Sequence, residues 1–261
     1  MASTLERIGS KVHPASLGAY YRCPRNFQTR YLRRLRMPFE FKAHLAIGSV
    51  THKALASLFR HELGGFTRSS LESYATPQLL RERYPEKDGD ELRAAHLPLV
   101  IGHMQRALES LPGNAGVLHV EQEFQRPMRF QSLRESVSIA AKVDLIVKHQ
   151  DGTIDHIDFK TGRSGGDPIQ NVMARVAVAH SLDLTREQLR TVNVMTESGD
   201  YHVDASSREQ YASGWDVVRF TLASLAADKT WRGTTDPSIC HRCEFRTVCD
   251  LAAKNPEDYD A

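Results

Sequence analysis

A chain of 261 residues, 41% hydrophobic and 25% charged, is long enough to bury a core and too apolar to remain disordered. Its formal net charge of +2 excludes a polyanion-coating protein of strongly basic composition. No apolar run approaches the roughly 18 residues of a membrane helix, and MASTLERIGS lacks the apolar centre of a signal peptide, so a soluble, cytoplasmic protein of a bacterial, archaeal or phage-infected cell is expected.

Charge is unevenly spread. Between Lys11 and Phe39 there is no Asp or Glu, while Arg22, Arg25, Arg30, Arg33, Arg34 and Arg36 crowd together. This is either a solvated helix face or a phosphate track. Residues 14–36 predict a helix capped by Ser16 that carries Leu17, Tyr20 or Tyr21, Phe27 and Tyr31 inward. Pro24 interrupts it, leaving Cys23 at a bend. Residues 43–62 predict a second helix with Leu45, Val50, Leu55, Leu58 and Phe59 in the core. His52 lies at its middle with Gly48 and Ala56 one turn away on the same face. A lone helical histidine is ordinarily a surface or satisfied core residue.

Residues 64–116 read as a helical insertion bounded by Gly64-Gly65 and Pro112-Gly113-Asn114, with helices at 69–83 and 89–110. Leu92, Leu99, Val100, Met104 and Leu108 form its apolar stripe. It carries no catalytic signal and reads as a cap or a wall beside a substrate channel.

From Val117 the period becomes that of strands. Along 138–147 the odd positions Ile139, Ala141, Val143, Leu145 and Val147 are apolar, which directs Asp144 away from the main core. Along 153–160, Ile157 and Phe159 share one face and Asp158 and Lys160 the other. A two-residue turn at Asp151-Gly152 would separate the two acids. A three-residue loop, Gln150-Asp151-Gly152 with Gly152 left-handed, pairs 149 with 153 and therefore 144 with 158. Only this register matches apolar with apolar and acid with acid, and carboxylates so placed repel unless a cation lies between them.

Residues 168–182 predict a helix with Gln170 in its first turn, followed by a hairpin setting Val192 and Val194 against Tyr201 and Val203 across Ser198-Gly199-Asp200. Ser206 with Glu209 predicts a capping box opening a helix to about 227, with Tyr211, Trp215, Val218, Leu222 and Leu225 inward. The cysteines, Cys23, Cys240, Cys243 and Cys249, stand as one remote and three clustered, which favours metal ligation over a disulfide framework. Four thiolates suit a [4Fe-4S] cluster or tetrahedral structural Zn2+.

Asp144, Asp158 and Lys160 form a D-x13-D-x-K pattern. Hydrolysis of a phosphodiester needs a cation on the non-bridging oxygens, an acidified water and help for the leaving alkoxide, and two carboxylates with a lysine supply the frame. On these residues, together with SLGAYYRCPRNF at 16–27, IGSVTHKAL at 47–55, AKVD at 141–144, IDFKTG at 157–162, Gln170 and CHRCEFRTVC at 240–249, the chain resembles the RecB/AddB-like branch of the PD-(D/E)xK nucleases. It is most similar to the small CRISPR-associated members that carry an iron–sulfur cluster.

The resemblance implies an α/β, restriction-endonuclease-like core over 1–261, with a central mixed sheet flanked by helices. A catalytic sheet and helix would occupy 117–205, and cluster-binding segments 14–36 and 232–251 would join the two ends. It implies Mg2+ or Mn2+ on His52, Asp144, Asp158 and the Phe159 carbonyl, with Lys160 catalytic and Gln170 accessory. It also implies a [4Fe-4S] cluster on the four cysteines. Arg22, Arg25, Arg242 and Arg246 adjoin those ligands and are expected to hold the DNA backbone.

The activity implied is exonucleolytic cleavage of single-stranded DNA, 5′ to 3′, with some cutting inside single strands, in CRISPR adaptation, phage recombination or repair. No G-x-x-x-x-G-K-[ST] occurs, so the chain is expected to take exposed ends or to work with a helicase or a CRISPR integrase. Two alternatives are a non-catalytic DNA-binding or assembly module and a restriction-type endonuclease. The complete His52, Asp144, Asp158 and Lys160 set weighs against the first, and the lack of an evident recognition domain against the second.

Overall fold

The computed structural model describes residues 4–9, 11–61, 66–113, 115–129, 136–162, 168–185, 187–204 and 208–251. It is a mixed α/β fold in which one twisted, mixed sheet is flanked by helices.

The chain opens with α1 (Thr4–Arg7), the short strand β1 (Lys11–Val12) and α2 (Pro14–Arg22). Helix α2 starts two residues before the expected cap, because Pro14 at its first position loses no needed N–H. Ser16 sits inside the first turn instead, accepting from the His13 amide at 3.2 Å and donating to the His13 carbonyl at 2.8 Å. Cys23 is extended, and Pro24 restarts the chain as α3 (Pro24–Phe27), which runs into a π-helical turn at Gln28–Leu32. The bend is held from the far end of the chain. Phe27 stacks on Trp231 at 6.0 Å, Tyr20 meets both rings edge-on, and the Tyr20 hydroxyl donates to Asp228 at 3.0 Å.

Three helices then form a layer: α4 (Ala43–His61), α5 (Arg68–Arg81) and α6 (Gly89–Ser110). Val50, Leu55, Leu71, Leu79, Val100 and Met104 join Leu145, Ile157 and Val192 of the sheet in one core. The helices of the 64–116 segment are therefore part of the core and not a detached cap. Two expected core residues are exposed, Leu45 at 60% and Leu99 at 50%. Leu45 lies in the first turn of α4, and Leu99 lies off the α6 face defined by Val100, Ile101, Met104 and Ala107.

The sheet follows with β2 (Gly116–Arg129), β3 (Ser136–Lys148) and β4 (Ile154–Lys160), then α7 (Pro168–Ser181), β5 (Leu189–Met195), β6 (Asp200–Val203) and α8 (Arg208–Ala227). Its order is β1-β3-β4-β5-β6, with β2 along the other edge of β3. Strands β4 and β5 are parallel, connected through α7 on one face. The β5–β6 hairpin has the expected register, Val192 with Val203 and Val194 with Tyr201. Val218, Leu222 and Leu225 of α8 are buried, while Ser206 of the expected capping box lies outside the described residues, as do Gly64, Gly65 and Asn114. Short turns at α9 (Pro237–His241) and Arg246–Val248 carry the C-terminal cysteines.

The β3–β4 loop has the three-residue geometry. Leu145 pairs with Ile157 and Lys148 with Ile154, the His149 amide donates to Thr153 at 2.8 Å, and Gly152 sits at φ +85°. The single apolar face expected along β3 is divided. Ala141 and Val143 pack toward α7, whereas Leu145 and Val147 pack toward α4–α6, and Ala140 and Ile146 are buried as well. The switch falls at Asp144. There the β2 ladder runs from Gln122–Val143 to Val120–Leu145 with Glu121 at φ +52° between them, so the local twist re-aims the side chains.

Gly152 meets nothing within 4 Å of an added Cβ, so Gly152→Ala carries only the left-handed backbone penalty. A loss of about 1–2 kcal/mol is expected in denaturant unfolding, with no change in the folded-state spectrum.

Candidate active site

The site lies where β4 separates from β3. The β3–β4 ladder ends at Leu145 with Ile157, and the next position on each strand, Asp144 and Asp158, stands at the opening of the fork. The amide of Phe159 donates to Asp144 Oδ2 at 2.8 Å, so the neighbouring strand's backbone holds this carboxylate in place. Asp158 and Lys160 share the other face from Ile157 and Phe159, which pack toward α4–α6.

Helix α4 reaches the fork from the opposite side. A Cβ on Gly48 would lie 2.8 Å from Thr161 Oγ1, so only glycine lets α4 run this close to the end of β4. One turn later His52 places Nδ1 3.3 Å from Asp144 Oδ1. Strand β2 adds Glu121, which no spacing or pattern distinguishes from the other polar residues of VEQEF. Its unusual φ brings it opposite Asp144, and ligand atoms of His52, Glu121 and Asp144 all lie within 4.8 Å of one another. Glu121 also pairs with Lys142.

Asp158 is engaged on the other side. Lys160 pairs with its Oδ2, and Gln170, from the first turn of α7, donates to the same oxygen at 3.3 Å while accepting from Lys160 Nζ at 3.2 Å. Gln170 thus bridges the acid and the amine.

Burial, then the charge of Asp144, pushes the Asp158 carboxyl up to about 6, against the pull of Lys160. Burial would raise Asp144 too, but the His52 hydrogen bond and charge, followed by the Phe159 amide, hold it below the ordinary carboxylate value. His52 is lowered by burial and raised more strongly by Asp144, so it ends above its usual range. Below about pH 6 the pair keeps one proton between two carboxyls, an arrangement that a cation replaces readily.

The four cysteines are free and line one cavity of about 520 Å3. Cys23 is buried and the other three are half-buried. Among the described residues, no three of their sulfurs lie within 4.8 Å of one another. Asn26 Nδ2 donates to Cys243 Sγ at 3.3 Å. Arg22, Arg25, Arg242 and Arg246 line the same cavity. Arg25 is held by Asp250 and by Gln28 at 2.8 Å, and Arg242 Nε by the Ser238 carbonyl at 3.1 Å.

The sequence model of the PD-(D/E)XK nuclease superfamily matches residues 12–250. No curated protein matches the chain. Among solved structures, the crystal structure of SSO0001 aligns over 94% of this chain and 88% of its own at 14% identity, with a TM-score of 0.43.

Without metal, the folded chain holds a proton on Asp158 up to about pH 6, while an ordinary carboxyl titrates near 3.8. The folded state therefore binds more protons in that window. The stabilisation from this carboxyl is full below it and is lost as the pH rises through about 6. Bound Mn2+ must displace this proton and the one on His52, whose titration is raised, so calorimetric titration should give an affinity that weakens as the pH falls through the His52 step and weakens further below about pH 6. Asp158→Asn should remove the lower step and leave the His52 step.

Proposed function

The chain belongs to the PD-(D/E)XK nuclease superfamily, and from that premise we propose that it is a metal-dependent DNA exonuclease acting on single-stranded ends, with 5′ to 3′ polarity and some cutting within single strands. Superfamily membership implies metal-dependent nuclease activity and DNA as substrate. The observation that carries the nuclease reading is the meeting at one fork of His52, Glu121 and Asp144 with the Asp158–Lys160–Gln170 bridge, while the choice of single-stranded ends and the polarity rest on the sequence resemblance.

Oxygen donors with one imidazole fit Mg2+ or Mn2+. His52, Asp144, Asp158 and the Phe159 carbonyl are assigned to the ion, with Glu121 as an added carboxylate. When bound, the ion supplies charge to the phosphate and acidity to a water. The residues of the chain do the rest. The Phe159 amide and His52 fix the Asp144 carboxylate, and Gln170 and Asp158 hold the Lys160 ammonium at the mouth of the site. There the ammonium orients the attacking water and screens charge building on the phosphate. Lys160 is the catalytic residue of this reading and Gln170 its positioning residue.

We assign the chain, 1–261, to a single nuclease domain of the RecB/AddB-like branch, with cluster-binding segments at 14–36 and 232–251. A [4Fe-4S] cluster on Cys23, Cys240, Cys243 and Cys249 is favoured by the breadth of their cavity. A tetrahedral zinc site with Zn–S near 2.3 Å needs all four sulfurs about 3.8 Å apart, whereas no three of these lie within 4.8 Å of one another. The Asn26 bond to Cys243 is of the kind that tunes a cluster's potential. CRISPR adaptation, phage recombination and repair all offer such ends, and a helicase or a CRISPR integrase would be the partner that exposes them. The non-catalytic alternative is disfavoured by a complete acid–lysine set in which Asp158 is buried and Asp144 and Lys160 are half-buried.

The test is cleavage of single strands labelled at either end, with Mn2+ or Mg2+, by protein purified without oxygen. Asp158→Asn and Lys160→Ala are expected to lower cleavage by at least about a hundredfold, and Gln170→Ala by about tenfold. All three should keep the visible absorption of the cluster. Cys243→Ser should lose that absorption first. Undiminished cleavage by Lys160→Ala removes the assignment.

A further inference from the structure

The basic run at the N-terminus is not absorbed by this reading, because the arginines beside the cysteines are largely engaged. Arg25 is taken by Asp250, Arg30 by Glu244 and Arg242 by Ser238. The stretch that follows differs. From Arg33 to Leu45 the chain crosses the surface as a strap in which Arg33, Arg34, Leu35, Arg36, Phe39 and Leu45 are exposed. Among the described residues neither Arg34 nor Arg36 has an ion-pair partner.

The strap is pinned, and it is pinned beside the candidate site. Phe41 turns inward against Tyr84 at 5.1 Å and stacks on His96 at 6.2 Å. Phe39 turns outward and is 49% exposed, with the Arg83 guanidinium 4.0 Å from its ring centroid. Glu82, the residue before Arg83, accepts from Ser49 at 2.8 Å and pairs with Lys53 at 2.7 Å. Lys53 directly follows His52 on α4. The residue next to Arg83 is thus docked on α4 one residue from His52, and the start of the helix at Ala43, four residues after Phe39, is about 14 Å along the axis from His52 at 1.5 Å per residue.

We propose that this strap, with Arg83, seats a single nucleic-acid strand on its way into the site, one base stacked on Phe39 and the flanking phosphates on Arg34 and Arg36. A planar hydrocarbon held at the surface by a guanidinium has little use to a folded monomer, whereas it matches a nucleobase face. The two unpaired cations that precede the ring, Arg34 and Arg36, match phosphates on that side of the base. A duplex keeps its base faces stacked inside and cannot use the plate. An acidic peptide satisfies the arginines and ignores the ring. The proposal rests on the nuclease reading only for the identity of the strand's destination.

The test separates the two. The full-length protein is titrated in EDTA with a fluorescent oligonucleotide, single-stranded or duplex, over a range of salt. Turnover of bis(p-nitrophenyl) phosphate with Mn2+ reports the catalytic site alone. Phe39→Ala is expected to weaken single-strand binding about tenfold while leaving duplex binding and small-diester turnover unchanged, and Phe39→Tyr to restore it. Replacing Arg34 and Arg36 together by Gln should reduce the slope of log affinity against log salt by about 1.4, from about 0.7 per phosphate contact. Wild-type affinity and slope in these variants, or equal loss on single strands and duplex in Phe39→Ala, overturns the strap. A wild-type protein that binds strands through Phe39 yet hydrolyses neither DNA nor the small diester overturns the nuclease reading and leaves the strap standing.

Discussion

Two carboxyls face each other at the fork because a three-residue loop leaves them no alternative. Once Gly152 takes the left-handed conformation, His149 pairs with Thr153, and each step toward the fork carries the register to Leu145 with Ile157, one position before Asp144 and Asp158. Buried like charges at that separation are unfavourable, and the surroundings divide the load asymmetrically. Asp144 receives the imidazole and a backbone amide and stays ionised, whereas Asp158 receives the lysine and the glutamine and keeps a proton to about pH 6. The carboxyls, with the imidazole beside them, present the donors a divalent cation takes.

What surrounds the fork follows from keeping those partners in reach. Helix α4 must touch the end of β4, and Gly48 against Thr161 is where it does so. Strand β3 must be covered on both faces, which is why its apolar residues divide at Asp144 instead of lining one side. The helices of the 64–116 segment then press α4 down, and through Arg106, whose Nε donates to the Thr196 carbonyl at 2.8 Å, they also grip the end of β5.

Much of this was legible in the residues. The loop register, the β5–β6 pairing and the helices at 43–61, 89–110 and 168–181 follow from period and turn chemistry, which act locally. The sequence was silent where geometry is set by a remote neighbour. Glu121 looks like any polar residue of a strand until β2 distorts opposite Asp144. Leu45 and Leu99 fit an apolar pattern, and the packing of α4, α5 and α6 simply does not reach them. The parallel pairing of Lys11–Val12 with β3 is too short to leave a period at all. The helix opens at Pro14 behind His13 as N-cap, and Ser16, which has the chemistry of a cap, serves instead as the partner that bonds back to His13.

The aromatic knot of Tyr20, Phe27 and Trp231 bears on how such a molecule is made. Tyr20 and Asp228 are 208 residues apart, so Tyr20 and Phe27 emerge from the ribosome long before Asp228 and Trp231, which close the knot. Until Trp231 follows, Phe27, fully buried in the finished protein, lacks the ring that stacks on it. The sheet can assemble behind it as strands emerge, with β1 pairing on β3 once β3 is made. Closure of the knot is thus gated by the emergence of residues 228–231, and the nascent Phe27 depends on a holding factor or on speed.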